Sequence, residues 1–241
     1  HRIDMHLKLN DYQTDLERTI KELEDSIVLS FADLVECKND NTGGHVLRTS
    51  KYVEVLGLEL LKRGVFPEDI TEESGSLMTR AAPFHDIGKI GISDVILLKR
   101  GPLTEEEYNE VKRHTVIGAN VLLNIYERTP TQHYLKYAAI VAEGHHERYD
   151  GKGYPHGLKD GQIPVISRVM AVANVFDACL TERIYRKALS PPEAYDVIMS
   201  GRGTAFDPVM VDCFAEAYPE FPLMDMDTRR MSGVWNGASG A

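Results

Sequence analysis

Leu9, Leu16 and Leu23 recur every seven residues, and Ile20, Ile27 and Leu34 repeat at the same interval, with "DLERTIKELEDS" supplying charge between them. So narrow an apolar seam with solvated flanks predicts one long helix over residues 1–36, of the coiled-coil or signalling kind. Its first thirty residues are expected to act as a linker, and its heptads predict a parallel homodimer. Further on, "HVLRTSKYVEVLGLELLKRG" has helical periodicity and stops at Gly64. "LTEEEYNEVKRHTVIGANVLLNIY" opens with Thr104 and Glu107 in capping-box spacing and predicts a further helix. "YLKYAAIVAEGHH", "VISRVMAVANVFDACLT", "SPPEAYDVIMSG" and "DPVMVDCFAEAY" follow, several with Pro at or near the first turn. Alternation of β-branched residues is scarce, so the expected fold class is all-α. One domain over 31–225 is expected, with a flexible tail over 226–241.

Composition narrows the partners. The 241 residues are 43% hydrophobic and 27% charged, the balance of an ordinary soluble domain. Val165–Leu180, the longest mostly apolar stretch, is too short and too polar to span a bilayer. No signal-peptide pattern is visible, and a start at His1 predicts a piece of a longer cytoplasmic protein with a sensory or receiver domain upstream. Cys37, Cys179 and Cys213 have no close spacing, which argues against a disulfide framework or a cysteine zinc site and fits a reducing cytosol. A net charge of −10 disfavours nucleic-acid polymers, which need a broad basic face. A small anionic ligand stays open, because metal ions and a few arginines can reverse the sign inside a cleft.

The candidate chemistry lies in the histidines. Of nine, His45, His85, His114, His145 and His146 sit in distinctive settings. His85 precedes Asp86 in "PFHDIGKIGI", so one imidazole and one carboxylate can enter the same cavity, and a carboxylate can bridge two cations. His114 is spaced to share an inward helical stripe with Val111, Gly118 and Val121. These donors suit borderline divalent metals such as iron, manganese, nickel or zinc. They outnumber the four that one tetrahedral zinc takes, which favours two metals. Such a pair can lower the pKa of a shared water and hold a phosphate for in-line attack.

The segments "HDIGK" at 85–89, "HHERYDGKGYP" at 145–155, "GLKDGQIP" at 157–164 and "ERIYRKA" at 182–188, with "TGGHVLR" and "GTAFDP", resemble the HD-GYP family of metal-dependent phosphohydrolases. The resemblance implies an all-α HD fold, a metal centre with iron as the first candidate, and hydrolysis of cyclic di-GMP to pGpG or onward to GMP. It implies that His45, His85, Asp86, His114, His145, His146 and Asn174 stand at metal positions, with Asp86 as the bridge. It also implies that Lys89 faces the scissile phosphate, that Gly153 and Tyr154 belong to the signature turn, and that Asp177, Arg183 and Arg186 line the nucleotide groove.

Two departures matter. Asn174 stands where the family carries an Asp, and Asn41 where trinuclear members carry a Glu. Both remove a carboxylate from one side of the centre, so the first metal is expected to be loosely held and a third is not expected. A cyclic dinucleotide sensor with weak turnover, and an HD hydrolase of another phosphate ester, are the alternatives to an active phosphodiesterase.

Overall fold

In the computed structural model, residues 2–36, 44–182 and 187–221 are described. The helices are α1 (Arg2–Glu36), α2 (His45–Arg63), α3 (Glu72–Ala81), α4 (Asp94–Leu97), α5 (Glu105–Lys112), α6 (His114–Arg128), α7 (Tyr134–Gly144), α8 (Val165–Leu180), α9 (Pro191–Ser200) and α10 (Pro208–Ala217). Only isolated bridges, Asp150 to Lys159 and Arg202 to Phe206, interrupt this all-α architecture among the described residues. No described helix is long and apolar enough to cross a membrane.

The core forms where α2 meets α8 and α10. Tyr52 stacks on Phe221 with ring centroids 4.9 Å apart, and Phe176 meets Tyr52 edge-on at 5.3 Å. Leu56, Leu60, Met170, Met210 and Phe214 fill the same interior. Burying such side chains is worth roughly 1.5–3 kcal/mol each, and this packing is what makes the helices persist. On the other side α7 lies against α3, α6 and α8 and completes the frame around the polar centre.

Two expectations from periodicity change in detail. The segment from Thr104 to Tyr126 is not one helix: α5 ends at Lys112, and the Arg113 N–H reaches back to the Glu110 carbonyl at 3.1 Å. The Val111 carbonyl there accepts from the His114 imidazole at 2.7 Å, so a side chain competes for the helical ladder at the break. The inward stripe of α6 therefore runs through His114, Gly118 and Leu122, while Val121 is 42% exposed.

α1 has two apolar faces. Ala32 and Val35 are buried against the body, and Asp25 pairs with Arg80 at 3.2 Å. The heptad residues Leu9, Leu16, Ile20, Leu23, Ile27 and Leu34 are all exposed. The helix runs unbroken through residue 30, where the linker was expected to end. Asn41, Cys37, Arg183, Arg186 and the expected tail at 226–241 lie outside the described residues.

Candidate metal centre

Four short stretches deliver the polar side chains to one buried place. His45 opens α2, and His114 opens α6. His85 and Asp86 lie between two 3-10 turns, Ala82–Phe84 and Ile87–Gly91. His145 closes α7 and is followed by His146. Helix ends suit this work, because a side chain there can leave the helical surface and point across the fold.

The second nitrogen of each buried ring decides what the first can do. His85 Nδ1 lies 3.0 Å from the Ala82 carbonyl, His114 Nδ1 lies 2.7 Å from that of Val111, and His145 Nδ1 lies 3.0 Å from that of Val141. His45 Nδ1 lies 2.7 Å from Asp177 Oδ2. A carbonyl or carboxylate can only accept, so each neutral ring carries its proton on Nδ1 and turns an Nε2 lone pair inward. The consequence is acceptor facing acceptor. His45 Nε2 and His85 Nε2 are 3.2 Å apart, and His114 Nε2 is 3.2 Å from Asp86 Oδ1. Asp86 Oδ1, His114 Nε2 and His145 Nε2 are buried without a hydrogen-bond partner among the described residues. Buried acceptors converging with no donor are costly in a bare protein and correct for a cation.

These atoms form two groups that share one carboxylate. His45, His85 and Asp86 make one; Asp86, His114, His145 and His146 make the other. Asp86 Oδ2 lies 3.2 Å from His85 Nε2, and Oδ1 faces His114 and, at 3.7 Å, His145 Nε2. The donor set, imidazole with carboxylate, fits a borderline divalent ion.

Charge is arranged to match. Burial opposes ionisation of Asp86, but Lys89 and His85 beside it hold its pKa well below the usual carboxylate range. Burial lowers the His145 pKa to about 4, and burial with the neighbouring His145 lowers that of His146 strongly. Both rings are therefore neutral, ligand-competent donors near pH 7. Burial also works against a charged His85, yet Asp86 outweighs it and raises the pKa, so on acidification a proton competes with a cation for the His85 Nε2 lone pair. Lys89 Nζ lies 2.5 Å from Asp86 Oδ2 at the edge of the site.

The glycine-rich turn after the histidine pair braces the centre. Tyr154 stacks on His146 with centroids 4.7 Å apart, and the Tyr154–Pro155 peptide is cis. Lys112 Nζ sits over the Tyr108 ring at 4.5 Å and over that of Tyr154 at 5.7 Å. Gly153 packs so closely that an added Cβ would come 2.3 Å from the Arg148 nitrogen and 2.6 Å from the His146 carbonyl. Its lack of a side chain is thus a packing requirement of the histidine pair. Buried Glu147 accepts from the His156 and Leu158 N–H groups at 2.7 and 3.0 Å, and Asp150 accepts from Arg148 and Lys152. The carboxylates of "HHERYDGKGYP" divide from its histidines in this way: the rings face the centre, and the acids shape the turn. "GTAFDP", in the loop that leads into α10, meets the same turn where Asp150 donates its N–H to the Thr204 carbonyl at 2.9 Å, while its Asp207 pairs with Arg168 of α8 at 2.8 Å.

Asp177 was expected along a nucleotide groove, and its side chain is instead 0% exposed. It accepts from Arg48 Nε at 2.6 Å and Arg48 Nη2 at 3.0 Å while facing His45. Its carboxylate orients the His45 ring from behind, the kind of partner that metal histidines take. Arg48 has no role in the motif reading, although its position one turn after His45 puts both on one face of α2. Asn174 is half-buried on α8, one turn before Asp177.

The sequence matches the HD domain family over residues 30–210. A probable cyclic di-GMP phosphodiesterase of Vibrio cholerae is 39% identical over 216 residues, covering 88% of this chain and 49% of that protein. The cyclic di-GMP phosphodiesterase response regulator RpfG of Xanthomonas campestris is 39% identical over 193 residues, covering 80% of this chain and 48% of that protein. The chain thus spans about half the length of these relatives. Among solved structures, a cyclic GMP-AMP-specific phosphodiesterase of V. cholerae, V-cGAP3, has a TM-score of 0.61 at 18% identity, covering 82% of this chain and 49% of that one, a likeness of fold. With the family match spanning both ligand groups, the chain belongs to the HD domain family and carries in "HDIGK" and "HHERYDGKGYP" the signatures of its HD-GYP branch.

Proposed function

We propose that this domain is a metal-dependent phosphodiesterase that hydrolyses cyclic di-GMP to pGpG, and onward to GMP, as the output of a longer bacterial signalling protein. The observation that carries this reading is Asp86, whose two oxygens face two separate histidine groups. That arrangement calls for two divalent ions, with iron first and manganese, nickel or zinc as alternatives. When bound, they supply Lewis-acid activation of water and neutralise charge on the phosphate. The protein's own part is positioning. Asp86 ties the two groups together, Asp177 and Arg48 hold the His45 ring, and Tyr154 holds that of His146. Lys89 offers a cation at the rim for a phosphate oxygen, and Arg183 and Arg186 are assigned to the nucleotide. The names of the V. cholerae and X. campestris relatives support cyclic di-GMP as the substrate.

A second reading has a specific residue behind it. Asn174, which the resemblance puts at a metal position, brings no charge there, and that suits a sensor that binds the dinucleotide with little turnover. Metal content per chain and cyclic di-GMP turnover, measured on this chain and on Asn174→Asp, separate the two. Two metals with linear product from the native chain establish the enzyme. In that case Asn174→Asp should tighten the weaker metal by roughly tenfold, as one added charged ligand does. One metal or none, with dinucleotide bound and no product until Asp is present, makes it a receptor. The same assay run with cyclic GMP-AMP tests the alternative substrate class.

The exposed heptad face of α1 supports a parallel homodimer, and the response-regulator relative supports a receiver domain upstream. Leu16→Glu with Leu23→Glu places charge at two facing heptad positions, and light scattering should then give the mass of one chain instead of two. An unchanged mass would remove the helix from the interface. Cys213, a buried free thiol, fits a cytoplasmic location.

A further inference from the structure

Lys89 lies between two buried carboxylates. Its Nζ is 2.5 Å from Asp86 Oδ2 and 3.5 Å from Glu36 Oε1. Glu36 is the last residue of α1, only 4% exposed, and 53 positions from Lys89 in sequence. Its location is unfavourable on two counts. Burial costs a carboxylate its hydration, and the C-terminal end of a helix disfavours negative charge. A cation beside it offsets part of that cost, and Lys89 supplies one.

The Lys89 ammonium and a divalent cation would compete for the same Asp86 oxygen. A metal drawn to the lone pairs of His45, His85 and Asp86 meets a positive charge already seated on Oδ2, and like charges at that distance repel strongly in a buried site. The ammonium has a second acceptor one short movement away, on α1. We propose that Glu36 is the positioning residue for Lys89: it takes the ammonium when Asp86 is given over to metal, and it holds that charge at the rim of the centre. The end of the N-terminal helix is then a working part of the site, and a displacement of α1 is felt directly at Lys89. The consequence for catalysis rests on the phosphodiesterase reading; the exchange between Asp86 and Glu36 does not.

The test is a titration of the metal-free full chain with Mn²⁺, followed by calorimetry, on the native protein, Glu36→Gln, Lys89→Met and the double variant. Removing the competing ammonium in Lys89→Met should tighten Mn²⁺ by about fivefold, and removing its alternative seat in Glu36→Gln should weaken Mn²⁺ by about fivefold. In the Lys89→Met background the second change should cost less than about twofold, because there is no ammonium left to seat. An equal loss in both backgrounds would mean that Glu36 acts on the metal itself, and no loss in either would mean that it has no part in the centre; each overturns the proposal. Should Glu36→Gln not fold, Glu36→Asp keeps the charge but draws it back by one methylene, and an intermediate weakening that vanishes in Lys89→Met is expected. No substrate is present in this titration. Failure to hydrolyse cyclic di-GMP therefore sinks the functional reading alone, and failure of the cycle sinks the Glu36 assignment alone.

Discussion

Asp86→Asn should lower cyclic di-GMP turnover by at least about a thousandfold while leaving the helical content unchanged. Loss of a single preorganised charge-stabilising group typically costs about a hundred- to a thousandfold, and Asp86 serves two ligand groups at once. The amide keeps the shape of the side chain but removes the charge, and its nitrogen has no lone pair to offer a second cation. Bound metal per chain, measured by plasma emission on the same preparation, should fall with the activity. The variant also strips Lys89 of its nearest partner at 2.5 Å and leaves the ammonium to Glu36. If Asp86→Asn kept both its metals and its rate, the shared-carboxylate account of the centre would be wrong.

Gly88→Ala should be as damaging by a different route. Gly88 sits in the 3-10 turn Ile87–Gly91, which follows Asp86 and contains Lys89, pressed against the start of α6. A Cβ there would lie 1.9 Å from the His114 carbonyl oxygen and 2.5 Å from the Gly118 nitrogen. Both are backbone atoms, so no rotamer change relieves the clash, and the turn must move off the helix. Overpacking of this kind costs about 3 kcal/mol, which corresponds to a melting temperature lower by roughly 10 °C in a chain of this size. The metal should be lost too, because the moved turn holds His85 and Asp86 while α6 holds His114. Gly75→Ala is the matching control. That glycine lies inside α3 with nothing within 4 Å of a built Cβ, so the same substitution should raise stability by about 0.5–1 kcal/mol. A thermal melt of the two variants beside the parent separates close packing from general intolerance of change.

Much of this centre is legible before folding, because metal ligands come in short motifs. His85 with Asp86, and His145 with His146, are adjacent in sequence, and adjacency survives folding. The helices are legible for a similar reason, since periodicity of 3.6 is a local property. The exceptions share a cause. The break at Arg113 comes from a histidine side chain bonding the Val111 carbonyl, and the period of apolar positions carries no record of that. Val121 and Leu122 are both apolar neighbours on α6, and only the packing against α7 and the Ile87–Gly91 turn chooses Leu122.

Asp177 and Glu36 show the limit most clearly. The resemblance put Asp177 on a groove, and its partner His45 is 132 positions away, so nothing near it in sequence announces that it stands behind that ring. Glu36 reads as one more acid on a charged helix until the fold lays the end of α1 beside Lys89. Residues close together in sequence sufficed for the helical class, the apolar seam of α1 and the histidine and carboxylate candidates, because each of these is written within a few residues. Only the tertiary structure placed one carboxylate between two histidine groups, set Asp177 and Arg48 behind His45, and brought Glu36 beside Lys89. Those facts depend on burial bringing distant helix ends into one water-poor space, where an unmatched lone pair or charge must find a partner.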